Sequence, residues 1–110
     1  MILSQHDIEH SINQGNIGVV RNGKDLAIEP ASMDLHLGEE MRIPEANGTV
    51  EVDNEDTYPD YYERSVETAL KPGQFALAYA EELVTIPRGK VGIIHGRSSV
   101  GRLGLFIHNA

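Results

Sequence analysis

The sequence predicts a single all-β domain of the barrel or sandwich class, preceded by one short helix. Short apolar segments are separated by turn signals about every 8–12 residues, a spacing typical of small barrels and sandwiches. The chain has 110 residues and no cysteine, so it has the size of one domain and no disulfides. Its apolar runs are only a few residues long, and residues 1–3 lead directly into a helix start. We therefore expect no membrane span, no signal peptide and a cytoplasmic location.

The charge is unevenly distributed along the chain. The formal net charge is −8; residues 45–70 hold eight acidic side chains and one basic one, whereas residues 71–110 hold five basic and two acidic ones. A broad basic face that binds nucleic acid is therefore not expected. A few arginines can still hold a small anion, because only the field near the ligand matters for such binding.

The N-terminal residues carry the signals of a short helix. Ser4 is a suitable N-cap, Asp7 lies at the third helical position in a variant of the capping box, and Gly15 can end the helix. His6 and His10 are one helical turn apart and could chelate a metal ion, but no third ligand is evident nearby. We therefore expect a solvated helix face at these histidines and no metal site.

Several later segments have the apolar pattern of strands. These segments are residues 17–20, 26–28, 33–37, 41–43, 50–52, 75–80, 83–86, 91–94 and 105–107. Turn signals lie at residues 22–23 (NG), 47–48 (NG) and 71–73 (KPG). In the third segment, the alternation predicts Met33, Leu35 and Leu37 on one face of the strand and Asp34 and His36 on the other.

The acidic residues 53–66 are predicted to form an irregular surface excursion. They contain Tyr58, Tyr61 and Tyr62 around one proline. These tyrosines would either contact a partner chain or anchor the loop on its own domain.

Residues 96–104 (GRSSVGRLG) are the strongest candidate for a binding site. They combine two arginines, two serines and three glycines between the apolar residues 91–94 and 105–107, and a strand on each side would hold the turn rigidly. Guanidinium groups offer paired donors that suit phosphate, hydroxyls add short-reach donors, and glycine lets a ligand approach the backbone closely. The pattern indicates a polyphosphate site. The alternative is a tight turn whose arginines pair with surface carboxylates.

Several stretches together resemble the dCTP deaminase family of the dUTPase-like fold. They are residues 1–8 (MILSQHDI), 30–38 (PASMDLHLG), 72–78 (PGQFALA), 82–87 (ELVTIP) and 96–105 (GRSSVGRLGL), with His108. The arginine-serine-serine turn is shared with dUTP diphosphatases, whereas the N-terminal stretch and Arg102 favour the deaminases. The resemblance runs from residue 1 to residue 110 and is weakest in the acidic middle.

The resemblance implies a homotrimer of distorted β-barrels of the β-clip type, with nucleotide sites between subunits. It implies hydrolytic deamination of dCTP to dUTP and ammonia without zinc, with Mg²⁺ bound together with the triphosphate. dTTP is a candidate inhibitor, and the sequence leaves feedback control by dTTP open. The residues that match the family's triphosphate-binding turn are Arg97, Ser98, Ser99, Val100, Gly101 and Arg102. Ser98 also matches a serine that assists catalysis at the reacting end, and Asp34 matches an aspartate near the subunit contacts.

The sequence departs from the family pattern in three places. His36 stands where arginine is usual. Ala110 is the candidate for an alanine whose carbonyl helps hold the attacking water, although the segment from His108 is one residue shorter than in some members. Family members continue with an Asp-containing turn, a strand that carries the catalytic general acid/base glutamate, and a tail that covers the nucleotide. Nothing here matches these parts.

We therefore expect residues 1–110 to be one dUTPase-like domain that lacks its last strands, either the N-terminal portion of such an enzyme or a shortened relative. Such a chain alone would be unstable unless partner strands covered its open edges. Three functions remain open. The first is a dCTP deaminase, the second is a dUTP diphosphatase or a bifunctional enzyme, and the third is a non-catalytic nucleotide-binding or assembly module.

Overall fold

The computed structural model describes residues 1–21, 23–45 and 48–108. The helices are α1 (Gln5–Asn13) and α2 (Ser98–Gly101), and Glu55–Thr57 forms a 3-10 turn. The strands are β1 (Gly18–Val20), β2 (Ala27–Glu29), β3 (Ser32–Asp34), β4 (Leu37–Pro44), β5 (Tyr61–Ser65), β6 (Leu77–Ala80) and β7 (Leu83–Thr85). In these ranges, no helix has the length and apolar character needed to cross a membrane.

The strands form three small antiparallel sheets. β1 pairs with β7, β2 pairs with β3, and β4 lies between β5 and β6. The predominance of strands confirms the predicted all-β class. A closed barrel is not formed by the described residues, because the three sheets do not share strands. The turn signal at residues 22–23 does not join a hairpin: β1 pairs with the distant β7, and Asn22 lies outside the described residues.

The N-terminal helix confirms the prediction from its capping signals. The Ser4 hydroxyl accepts a hydrogen bond from the Asp7 backbone N–H (3.2 Å), and the Asp7 carboxylate accepts from the Ser4 hydroxyl (2.8 Å) and backbone N–H (3.3 Å). These bonds from Ser4 lower the pKa of Asp7. The Gln5 N–H also donates to the Pro30 carbonyl oxygen (2.8 Å), which ties the helix to the turn between β2 and β3.

The acidic segment is more regular than predicted. Its last part forms β5, which pairs with β4 from Glu40↔Ser65 to Pro44↔Tyr61. The acidic residues before this strand obscured it in the sequence. β5 itself holds two tyrosines, which favour strands, together with one acidic and one basic residue, and it pairs with β4. The Tyr58 hydroxyl donates to the Val52 carbonyl oxygen, so this tyrosine anchors the loop on its own domain.

The predicted strand at residues 33–37 is interrupted by a corner. β3 ends at Asp34 and β4 begins at Leu37, with Leu35 and His36 between them. The prediction that Met33, Leu35 and Leu37 share one apolar face is therefore wrong at the corner. Leu37 is 58% exposed, whereas Met41 further along β4 is 5% exposed. The strand alternation resumes only after the chain has changed direction.

The apolar segments 91–94 and 105–107 are not strands, contrary to the prediction. Neither belongs to a strand or a sheet, and all their apolar side chains are exposed. The buried apolar side chains of the described residues lie instead near the helix and in β4, at Ile8, Ile17, Met41 and Ile43. A strand pattern in sequence is realised only where a neighbouring strand satisfies the backbone groups, and these two segments lack one among the described residues.

Candidate functional site

The glycine-rich turn at residues 96–104 is built around the single helical turn α2. The Arg97 carbonyl oxygen accepts hydrogen bonds from the backbone N–H groups of Val100 (3.1 Å) and Gly101 (2.9 Å), and the Ser98 carbonyl oxygen accepts from the Arg102 N–H (3.0 Å). Gly104 follows with φ +89°, a backbone conformation that residues with a Cβ atom rarely adopt. The turn is therefore shaped by its own backbone bonds rather than by flanking strands.

The donor-bearing side chains of this turn point away from the protein interior. Arg97, Ser98, Ser99 and Arg102 are exposed, whereas Val100 is half-buried. Ser98 and Arg102 are four residues apart and thus lie on the same side of the helical turn. Within the described part of the chain, no hydrogen bond engages either serine hydroxyl and no ion pair engages Arg102. These groups can accordingly bind an anion from solution.

Arg97 contacts a carboxylate from a distant strand. Its Nη1 lies 3.1 Å from Oδ2 of Asp34, the last residue of β3. The Asp34 side chain is 22% exposed and that of Arg97 is 65% exposed. The pair agrees with the alternative prediction that arginines of the turn pair with carboxylates, but it engages one terminal nitrogen of a guanidinium that has five N–H donors. The other donors of Arg97 remain available.

The corner beside Asp34 is fixed by a contact that the sequence prediction missed. The Glu82 carboxylate accepts a hydrogen bond from the His36 backbone N–H (2.9 Å) and contacts the His36 ring at Nδ1. The Glu81 N–H donates in turn to the His36 carbonyl oxygen (2.9 Å). The turn between β6 and β7 thus holds the corner between β3 and β4 through one side chain, that of Glu82, and one backbone group, the Glu81 N–H.

Glu82 is a buried carboxylate whose charged form is favoured. Burial by itself raises the pKa of Glu82, but the hydrogen bonds from the ring and the backbone N–H of His36 outweigh burial and bring this pKa below its ordinary value. One signal in the sequence could have indicated that Glu82 is a buried, hydrogen-bonded carboxylate. It stands directly before the apolar strand β7, and a carboxylate that is buried next to such a strand needs a hydrogen-bond donor.

The remaining predicted residues contribute less to the site geometry. Ala110 lies outside the described residues, and His108 is exposed. His6 and His10 are exposed and stack with ring centroids 6.3 Å apart, in agreement with a solvated helix face. In the ranges that the structure describes, no three histidine, aspartate or glutamate side chains are arranged to hold a metal ion.

A dCTP deaminase-like family model matches residues 2–110 of the chain. Among curated proteins, the dCTP deaminase of Haloarcula marismortui is 39% identical over 116 residues, which cover 98% of this chain and 60% of that protein. The dUMP-forming dCTP deaminase of Sulfurihydrogenibium sp. is 36% identical over 115 residues, covering 100% of this chain and 63% of that protein. The dUMP-forming dCTP deaminase of Aquifex aeolicus is 34% identical over 110 residues, with coverages of 100% and 61%.

The chain thus spans roughly three fifths of the length of the curated relatives it matches (60–63%). No solved structure matches it.

Proposed function

Because the chain belongs to the dCTP deaminase-like family, we propose that the intact protein deaminates dCTP hydrolytically to dUTP and ammonia. The observation that carries this proposal is the exposed turn that presents two guanidiniums and two hydroxyls, in a chain whose curated relatives are named dCTP deaminases. Deamination of dCTP supplies a precursor of dTTP, so the protein would act in pyrimidine deoxynucleotide metabolism in the cytoplasm.

In this proposal the turn holds the triphosphate. Arg97 and Arg102 form charge-assisted hydrogen bonds to phosphate oxygens, and the hydroxyls of Ser98 and Ser99 add short-reach donors. The support is the exposure of all four side chains on one internally bonded turn. By resemblance, the segment from Val100 to Gly101 contributes backbone contacts, and the Ala110 carbonyl helps hold the attacking water.

Mg²⁺ would arrive with the triphosphate. The turn carries guanidiniums and hydroxyls, which suit an anion, whereas Mg²⁺ prefers phosphate and carboxylate oxygens and keeps several waters. The proposal therefore places the ion on the phosphate oxygens of bound dCTP. No zinc is invoked.

The chemistry at the cytosine ring is assigned to Ser98 as an assisting residue only. The resemblance implies a glutamate as general acid/base, and no residue of this chain matches it. Glu82 is buried and engaged with His36, and Glu81 pairs with Lys24 Nζ at 3.2 Å. Both glutamates therefore already have structural partners, and the proposal gives neither of them a catalytic role.

Assembly into a trimer of distorted barrels is part of the proposal. Its support is the apolar surface of residues 91–94 and 105–107, where Val91 and Phe106 are largely exposed. Covering such side chains with strands from the rest of the protein and from other subunits would remove apolar area from water. Nucleotide sites between subunits would then place the turn at a junction. Inhibition by dTTP follows from the same site, since dTTP carries the same triphosphate.

The proposal is tested by incubating the intact protein with dCTP and Mg²⁺ and measuring ammonia and dUTP. Arg97→Ala and Arg102→Ala should each weaken dCTP binding by about 1.5–3 kcal/mol, roughly 10- to 150-fold, because each removes a charge-assisted hydrogen bond. Isothermal titration calorimetry measures this loss.

The matched control is Arg42→Ala, which removes an exposed guanidinium on β4, away from the turn. Its affinity for dCTP should equal that of the wild type. Absence of ammonia release by the wild type would refute the deaminase, and unchanged affinity in both turn variants would refute the assignment of the turn.

A dUMP-forming enzyme is the second candidate, favoured by the names of two of the relatives compared above. Such an enzyme would release ammonia, pyrophosphate and dUMP from dCTP and two water molecules. Chromatography of the products in the same assay distinguishes the candidates, because a simple deaminase accumulates dUTP.

A further inference from the structure

Asp34 stands on a well-anchored part of the fold. It pairs with Ala27 across β2 and β3, and the turn before it is tied to helix α1 by the bond from Gln5 to Pro30 (2.8 Å). Two residues later, the Glu82 carboxylate and the Glu81 N–H hold His36. The Asp34 carboxylate therefore lies between two fixed points of the chain.

The turn that carries Arg97 is tied to the sheets far less firmly. Residues 91–97 and 105–108 make no sheet pairs, and α2 is held by bonds within the turn. Among the described residues, the pair of Arg97 and Asp34 is the one polar contact between residues 91–108 and the preceding chain. Apart from this contact, the Arg97 side chain is largely exposed to solvent.

We propose that Asp34 is a positioning residue for the phosphate-binding guanidinium of Arg97. Asp34 retains Nη1, and the remaining N–H donors of the guanidinium bind a phosphate oxygen of the triphosphate. The guanidinium is planar and rigid, so it can bind Asp34 and a phosphate at the same time. When Asp34 holds one edge of the group, the N–H donors on the other edge point in a fixed direction. The inference rests on the proposed function, since it names the residue that prepares the same site.

Whether triphosphate binding weakens or tightens when Asp34 is replaced distinguishes a positioning role from simple charge repulsion. A carboxylate beside an anion site repels the ligand, so neutralising Asp34 would tighten triphosphate binding if charge alone mattered. If Asp34 orients Arg97, its removal instead leaves a long side chain to be ordered at the moment of binding. That ordering weakens affinity by about 2- to 12-fold.

The test measures binding of dCTP and of inorganic tripolyphosphate to the intact protein by calorimetry, together with the kinetics of ammonia release. Asp34→Asn and Asp34→Ala should weaken both ligands by about 2- to 12-fold and raise KM in proportion. The value of kcat should stay within about 2-fold, because the phosphates lie away from the reacting ring. In an Arg97→Gln background, Asp34→Asn should cause no further loss, since the oriented group is already gone.

Glu63→Gln is the matched control, because it also converts an ion-paired carboxylate to an amide, on β5. It should bind both ligands as the wild type does, and thermal unfolding reports whether each variant is folded. Unchanged or tighter binding in Asp34→Asn would overturn the proposal. So would an equal loss with and without Arg97, which would show a general structural role.

The outcomes also separate this inference from the proposed function. A wild type that binds tripolyphosphate but releases no ammonia would refute the deaminase, while the affinities still decide the role of Asp34. A wild type that deaminates dCTP, with an Asp34→Asn variant of equal affinity, would refute only the positioning role. A wild type that binds neither ligand would refute both.

Discussion

Two polar contacts tie one corner of the chain to distant segments, and they differ mainly in exposure to water. Asp34, just before the corner, pairs with Arg97, whose side chain is 65% exposed. His36, within the corner, contacts Glu82, whose side chain is 3% exposed. Both pairs join the corner to a distant segment, yet one partner is surrounded by water and the other is shielded from it.

This difference predicts different roles for the two carboxylates. An exposed arginine exchanges its partner at little cost, because water and dissolved anions compete for it. A buried carboxylate with two donors is retained, because the donors would lose their bonds without it. The buried pair should therefore govern folding, whereas the exposed pair should govern ligand binding.

The largest expected effect on stability comes from Glu82→Ala. It leaves the backbone N–H of His36 without its acceptor in a partly buried corner, which costs about 1–3 kcal/mol in the free energy of unfolding. Urea denaturation of the intact protein measures the loss. Asp34→Ala is the comparison variant, and it should cost less than about 1 kcal/mol because its partner is solvated. Equal losses in the two variants would contradict the division into a folding pair and a binding pair.

The next effect is a pH dependence that originates at Glu82. Its pKa in the folded protein lies below the ordinary value of 4.5, so the unfolded chain takes up the proton first. The stability from this group is therefore complete above the ordinary pKa and is lost as the pH falls through the lower, folded pKa. Urea midpoints measured at a series of acidic pH values should decline less steeply in Glu82→Gln than in the wild type.

Some decline should remain in that variant. Asp7, whose pKa is also lowered by the bonds from Ser4, contributes with the same sign. Parallel pH profiles for the wild type and Glu82→Gln would show that Glu82 does not stabilise the folded state through its charge.

The sequence indicates local features well. It allows that arginines of the turn pair with carboxylates, but it identifies neither Asp34 as the partner of Arg97 nor Glu82 as the partner of His36. Ser4 and Asp7 predict the start of the helix, because both partners of the capping box lie within one turn of the chain. The phosphate-binding turn is visible for the same reason, since its donors fall within a few residues. The contact of His36 with Glu82 joins positions 46 residues apart, and no periodicity encodes such a distance.

Strand patterns were informative only where a partner strand is present. The apolar run at residues 83–86 forms β7 because β1 pairs with it. The equally apolar residues 91–94 have no pairing strand among the described residues and stay exposed, outside any sheet. β5 shows the converse, because it lies within the acidic residues 53–66, which were predicted to be irregular, and pairing with β4 forms a strand there.

The smallest expected effect belongs to a third polar contact and sets the baseline for the other two. Arg42 Nη2 and Glu63 Oε1 lie 3.9 Å apart across β4 and β5, with side chains 66% and 62% exposed. At such exposure, solvent screening and the cost of fixing two flexible side chains nearly cancel the attraction. Arg42→Ala should therefore change the free energy of unfolding by no more than about 0.5 kcal/mol, as measured by urea denaturation.

A graded series of stability losses, largest for Glu82→Ala, smaller for Asp34→Ala and smallest for Arg42→Ala, would show that the loss increases with burial of the contact. A loss at Arg42 as large as that at Glu82 would mean that strand pairing, rather than exposure to water, determines the strength of these pairs.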